Sequence, residues 1–419
     1  MKKCYTLIFI FVCFLFTACA ANTPENGKKD LSDVDFEFKS SASPFIQEVR
    51  STESDNNSRK VLKYDDFKAV WLSYIDLSPM LTGKSEQEFS ACFETACKNI
   101  SELGCNTIFV HLRPFGDSLY RSEIYPTSKF ITGKAADEIS FDPLEIMTRI
   151  AHSYKLSIHG WINPLRLETE DVFDSYDDSL IIKKWYNSKN GYVCSVNGDK
   201  HLWLNPGFSE VRQLIADGAA EIVSKYDVDG IHYDDYFYPT TEESFDKICF
   251  DQSKSDKTLS VWRLDNISDM ASRICTAVKK VDKELVVGVS PQGNLENNYN
   301  YMYADVKKWG SEKGYVDYIC PQIYFGYDNS IKPFLSTLEQ WADIVTEPSV
   351  SLYIGLAVYK IEGGEEEFVQ NKGIIAKQIN DIFASDRCKG FSLYAYNNLF
   401  SGSERASFEL DSIKAAICT

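Results

Sequence analysis

From residue 69 onward the chain alternates short apolar runs with longer stretches whose apolar positions recur at helical spacing. The runs Ala69–Tyr74, Asn106–Leu112, Leu156–Ile162, Gly230–Tyr233, Leu285–Val289, Tyr315–Ile323, Leu352–Val358 and Gly390–Tyr396 have the length and side chains of strands. Between them Glu86–Leu103, Pro143–Tyr154, Val211–Lys225, Val261–Lys279 and Gly373–Ala384 read as amphipathic helices. Strand-then-helix alternation implies parallel strands with helices outside, and eight such units close into a (β/α)8, or TIM, barrel of the α/β class. A doubly wound open sheet shares the alternation. It usually carries a glycine-rich phosphate loop after its first strand, and Leu77-Ser78-Pro79-Met80-Leu81 offers none. Two connections are too long for simple turns: Phe115–Asp142 after the second strand and Arg166–Asn205 after the third. The longer one holds Trp185, Tyr186, Tyr192 and Trp203, candidate walls of a groove, with Trp185 and Trp203 the better platforms.

The 419 residues leave room for one barrel-sized domain behind a leader. Lys2-Lys3 and the apolar Leu7–Phe16 read as a signal peptide, and Leu15-Phe16-Thr17-Ala18-Cys19 reads as a lipobox whose cysteine takes lipid. The expected division is 1–19 leader, 20–60 a polar flexible tether, and 61–419 the catalytic domain. That places the protein in the cell envelope, attached to a membrane through the lipid on Cys19. Ala20 after the cysteine favours the outer membrane if the host has one. Of 12 cysteines, Cys4 and Cys13 leave with the leader and Cys19 carries lipid, so nine remain, an odd number. They are expected to be mostly buried free thiols. The net charge of -17 and the lack of a basic stripe argue against nucleic-acid binding.

Polar residues gather where the expected strands end: Asp76, Arg113-Pro114, Asn163-Pro164, Asp234-Asp235, Ser290-Pro291-Gln292-Gly293, Gln322 with Tyr324, Tyr359, and Tyr396-Asn397-Asn398. In a barrel these converge on one face, where chemistry is found. Two adjacent acids at a strand end are costly if buried without partners, so Asp234 and Asp235 are the centre of the expected site. A protonated and an ionised carboxyl group are what glycosidic cleavage requires. Asp234 is the expected nucleophile or electrostatic stabiliser. Asp235 is expected to be the acid, or else to orient Arg113 or His232, and Glu296 and Asp305 are other candidate acids. Asp229 and Asp317, at the opposite strand ends, are excluded. Arg113 is expected to hold the anionic form of Asp234. His111, His159 and His232 lie within strands and read as core or supporting histidines. A metal-dependent hydrolase built on them is an alternative, although they lack a His-x-His spacing; no metal or other cofactor is expected. Asn163, Gln322 and Asn397 would bond sugar hydroxyls, with Trp161, His111, His232, Tyr236, Tyr238 and Tyr324 as further contacts.

In order along the chain, His111-Leu-Arg113-Pro114 with Asp117 to Tyr120, Ile131-Thr-Gly133, Phe141-Asp142-Pro143-Leu144 and His159-Gly-Trp161-Ile-Asn163-Pro164-Leu-Arg166 form the first half of a signature. Trp203-Leu-Asn-Pro206, Tyr226 to Pro239, Ser290-Pro291 and Asp317-Tyr-Ile-Cys-Pro321-Gln322-Ile-Tyr324 complete it. The set resembles the glycosyl-hydrolase-like ten family of bacterial (β/α)8 barrels, many of them secreted or lipid-anchored, over roughly residues 65–400. The resemblance implies glycan hydrolysis, with peptidoglycan strands as substrate. A non-catalytic barrel that only captures glycan is a second alternative. Gly230-Ile-His-Tyr-Asp234 also resembles the nucleophile strand of α-amylase-type barrels, where an arginine commonly stands in the place of His232. His111 stands where the family usually has glutamine, and Thr127 where a tryptophan is common.

Overall fold

The structure, a computed structural model, describes residues 61–418; the leader, the lipidation site at Cys19 and the tether lie outside them. The strands are β1 (Phe67–Leu72), β2 (Thr107–Arg113), β3 (Ser157–Ile162), β4 (Arg166–Thr169), β5 (Val193–Ser195) and β6 (His201–Leu204). They continue with β7 (Gly230–Tyr233), β8 (Val286–Val289), β9 (Tyr318–Ile319), β10 (Ser351–Leu352), β11 (Ile354–Ala357) and β12 (Gly390–Tyr394). Nine of them form one parallel sheet in the order β10-β9-β8-β7-β3-β2-β1-β12-β11, a nearly closed barrel with helices between the strands. Only Tyr353 separates β10 from β11. Its N–H bonds the Ile319 carbonyl at 3.0 Å, and the Leu352 carbonyl accepts from Lys389 N–H at 2.9 Å. The segment 351–357 therefore joins the two ends of the sheet, and the eight strands expected from the pattern are the eight staves of this ring.

Alternation along each strand sends one set of side chains inward and the other against the helices. The inward set includes Phe67, Trp71, Phe109, Trp161 and Tyr318, all buried. Burying an aromatic side chain of this size stabilises the fold by about 1.5–3 kcal/mol each. Gly288 is needed here because a Cβ would lie 1.8 Å from the Tyr318 ring. The three strand histidines belong to this interior. Tyr318 Oη lies 3.1 Å from His159 Nδ1 and 2.9 Å from His232 Nδ1, while Trp71 Nε1 donates to His232 Nε2 at 3.2 Å. Burial holds His159 at about 4 and His232 well below the ordinary range, so both are neutral packing groups. Both ring nitrogens of His232 are thus occupied by protein, and among the described residues no group of three His, Cys, Asp or Glu stands close enough to hold a metal ion. Among the described residues, the three strand histidines do not form the centre that the metal-hydrolase alternative needs.

The nine cysteines of the described residues are all free, six of them buried. The strand expected over Tyr315–Ile323 shortens to β9 because Pro321 has no N–H, and the chain turns there, Ile323 N–H reaching the Pro321 carbonyl. The first strand ends at Leu72 because Ser73 caps the helix Tyr74–Leu81, its side chain accepting from Asp76 N–H while Asp76 accepts from Ser73 N–H at 2.7 Å. The insertion after β3 folds into an antiparallel sheet, β4-β6-β5. Trp185 and Trp203 are buried in it: Trp185 stacks on Tyr192, and Trp203 Nε1 donates to Asp199 at 2.9 Å. They pack the insertion rather than forming open platforms.

Candidate active site

At the C-terminal ends of the barrel strands lies a cleft of about 310 Å³. Among the described residues that line it, Asp234 and Asp235 are the two carboxylates and Arg166 is the one permanent cation. Asp234 follows β7 directly and continues its inward row above His232, and it is 3% exposed. Its Oδ2 accepts from Trp161 Nε1 at 3.0 Å, a bond made possible because β3 and β7 are paired neighbours. Asp235 is half-buried, and its Oδ1 accepts from Gln322 Nε2 at 3.0 Å. The same Gln322 nitrogen donates to the Ser290 carbonyl at 3.1 Å, which fixes the amide between β8 and β9.

Burial dominates both carboxyl groups. Asp234 is pushed well above the usual carboxylate range by burial and then by the charge of Asp235, against smaller pulls from Arg166 and Trp161. Asp235 is also raised by burial, but Gln322, Gln292 and Arg166 favour its ionised form. Two such neighbours titrate as a pair, and burial disfavours the doubly ionised state.

Arg166 opens β4 just beyond Asn163-Pro164, and its guanidinium lies 3.7 Å from the centre of the Tyr236 ring and 4.5 Å from that of Phe115. It stands in the cleft in the place expected of Arg113, and its charge favours the ionised form of both acids. Arg113 is turned away, donating through Nη1 to Tyr125 Oη and through Nη2 to the Asn163 carbonyl at 3.3 Å. The cause is a register shift in the β2–β3 ladder: His111 pairs with Trp161, then Arg113 with Ile162. One residue is skipped, so Arg113 changes face. The signal available in the sequence was Arg166 itself, at the end of the His159-to-Arg166 signature.

Several other expected residues stand in the cleft: His111, Trp161, Tyr236, Gln322 and Tyr324. His111 lies flat on Trp161, ring centres 3.6 Å apart, and its Nε2 lies 3.0 Å from Asn163 Oδ1. Burial, and then the nearby Arg166, keeps it neutral. Asn163 is fully buried, its amide donating to the Pro114 carbonyl at 2.8 Å, so it supports His111 instead of facing a ligand. His232 lies one layer below the cleft. Glu296 is exposed and pairs with Lys332 at 3.4 Å, outside the cleft, so it is no acid for this site. Asp305 caps a helix through Lys308 N–H. Asn397 is exposed and gives its backbone N–H to Asp76 at 2.7 Å. Tyr238 is buried against Phe245, Tyr303 and Arg263. Asp229 at the far end accepts from Leu62 and Ile158 N–H, a structural role as expected. Tyr359, expected at a strand end, also lines the cleft, and Tyr74 and Tyr394 complete its wall unannounced by any motif.

A TIM barrel with a carboxylate pair at its C-terminal mouth is the layout of the glycoside hydrolases. Among solved structures the chain is similar to the glycoside hydrolase domain of PgaB (BpsB) from Bordetella bronchiseptica, at 9% identity and a TM-score of 0.52, over 83% of this chain and 98% of that one. It is similar also to the catalytic domain of a beta-amylase from Paenibacillus polymyxa, at 12% identity and a TM-score of 0.53, over 84% of this chain and 99% of that one. These likenesses speak for the fold alone. Residues 66–371 match the family described as Glycosyl hydrolase-like 10, and the chain belongs to it. Its relatives include Glycosyl hydrolase DigH of Escherichia coli K12, 30% identical over 299 residues, and Glycosyl hydrolase YngK of Bacillus subtilis 168, 29% identical over 318 residues. The matches cover 63% and 71% of this chain, and 64% and 61% of those relatives, under two thirds of their length.

Proposed function

We propose that this protein is a lipid-anchored glycoside hydrolase of the cell envelope that cleaves O-glycosidic bonds in cell-wall glycan, with peptidoglycan strands as the substrate. The observation that carries the reading is the unequal carboxylate pair in the cleft, Asp234 buried with its Oδ2 on Trp161 Nε1, Asp235 more open with its Oδ1 on the Gln322 amide. Family membership and the names of the relatives support glycan as the substrate class. The leader and Cys19 support the location.

The electrostatics favour a division of labour opposite to the one expected from the sequence, where Asp234 is the nucleophile or stabiliser and Asp235 the acid. Asp234 gives its proton to the glycosidic oxygen as the bond to the anomeric carbon breaks and its electron pair goes to that oxygen; water then bonds to the anomeric carbon and its proton returns to the Asp234 carboxylate. Asp235, ionised, faces the oxocarbenium-like charge that develops on the sugar. The charge of Arg166 favours the ionised form of both acids. Tyr324 and Tyr394, their ring centres 6.0 Å apart, offer faces for a sugar ring opposite.

Peptidoglycan strands freed of stem peptides, incubated with the protein and read by mass spectrometry, test this. The native protein releases sugar fragments, and Asp234→Asn releases none while melting at nearly the native temperature. Full release by Asp234→Asn overturns the assignment.

A further inference from the structure

A second groove, of about 290 Å³, lies between the β3 insertion and the segment that follows β7. Its two walls come from the same two chain segments that supply residues to the cleft. The insertion supplies Arg166 to the cleft and then Val193, Ser195 and Asn197 to the groove. The β7 segment supplies Asp234 to Tyr236 and then Thr240, Ser244 and Ile248. The lining mixes hydroxyl and amide groups and the charged Lys189 and Glu242 with apolar side chains, of which Ile248 is 54% exposed. That mixture suits a sugar, which presents hydroxyls at its edge and C–H groups on its face.

The groove is also held open by a buried device. Asn205, 1% exposed, sends its amide to the Gly191 carbonyl at 3.1 Å and the Phe245 carbonyl at 3.4 Å, one from each wall. Its Oδ1 accepts from Gly207 N–H at 2.9 Å, so the side chain is pinned. Asn205 belongs to the Trp203-to-Pro206 signature, none of which lines the cleft. A ligand entering a preformed groove loses less affinity to ordering.

We propose that this groove is a distal subsite that binds further sugar units of the glycan chain whose bond is cleaved at Asp234 and Asp235, so the enzyme acts within long chains. The inference rests on the hydrolase reading of the cleft. It follows that chain length matters: an oligosaccharide too short to leave the cleft does not feel the groove, and a long strand does.

Ser195 is exposed on β5, the edge strand of the small sheet, and a large side chain there fills the groove without touching the cleft. The test compares the native full-length protein with Ser195→Trp on two substrates, a disaccharide carrying a chromogenic aryl leaving group and long peptidoglycan strands freed of peptides. The expected result is a roughly tenfold higher KM on long strands, the loss of about 1.4 kcal/mol of binding, with kcat and the disaccharide kinetics unchanged. A smaller Ser195→Ala variant should behave as native on both, which shows that bulk is responsible. Equal loss on both substrates, or no loss on long strands, overturns the distal subsite. Absence of hydrolysis of either substrate by the native protein overturns the hydrolase reading instead.

Discussion

Replacing Trp161 with phenylalanine removes one atom of consequence, the indole N–H that donates to Asp234 Oδ2 at 3.0 Å. A phenyl ring keeps an aromatic face for His111, whose ring centre lies 3.6 Å from that of Trp161. A hydrogen bond to a charged partner contributes about 1.5–3 kcal/mol. Trp161 favours the ionised form of Asp234, so its loss moves the carboxyl equilibrium roughly ten- to a hundredfold toward the protonated form. The pH dependence of kcat/KM reports ionisations of the free enzyme, the state seen in this structure. If Asp234 works as the acid, it must be protonated, and the alkaline limb of the profile moves to higher pH while the acid limb stays. If Asp234 works as the nucleophile, it must be ionised, and the acid limb moves up instead. The electrostatics of the cleft predict the first outcome. Movement of the acid limb alone refutes the division of roles, and a profile with neither limb moved refutes the coupling between Trp161 and Asp234.

Two further outcomes concern the surroundings of the site. Arg113→Ala, which empties a buried position between Tyr125 and Asn163, should lower stability by about 3 kcal/mol while leaving the pH profile of kcat/KM unmoved; thermal melting and kinetics check the two halves separately. Asp117 is buried after β2 with one carboxylate oxygen unpaired, and burial lifts it to about 6. Its folded-state affinity for protons exceeds that of the unfolded chain. Its contribution to stability is therefore complete below the ordinary carboxylate range and is lost as pH rises through about 6. Asp117→Asn, neutral throughout, should flatten the fall in melting temperature between about pH 4 and 6 and melt higher than the native protein at pH 7; a parallel fall in both proteins counts against it.

What could be read in the chain divides along a physical line. The barrel was legible because each strand is buried on both faces and each helix on one, and those constraints repeat eight times along the sequence. The carboxylate pair was legible because Gly230–Tyr233 is a strand with unambiguous limits, so the residues just past it had to emerge at the mouth. The neighbours of the pair were not, because their directions depend on events that alternation does not encode. Arg113 stands where strict alternation from His111 would aim it inward, and only the pairing of β2 with β3 reveals the skipped residue. Arg166 lay in a segment that looked like the start of a loop, yet β4 turns its side chain back over Tyr236. Glu296 failed for a related reason: the Asn294 side chain caps a helix at Leu295, and that helix leaves Glu296 on its solvent side. Counting residues from a strand end predicts the face on which a side chain emerges only while the chain remains a strand. At the mouth of a barrel, where bulges and caps begin, the same count predicts nothing, and the arginine that lines the cleft is found by asking which cation the buried carboxylates require.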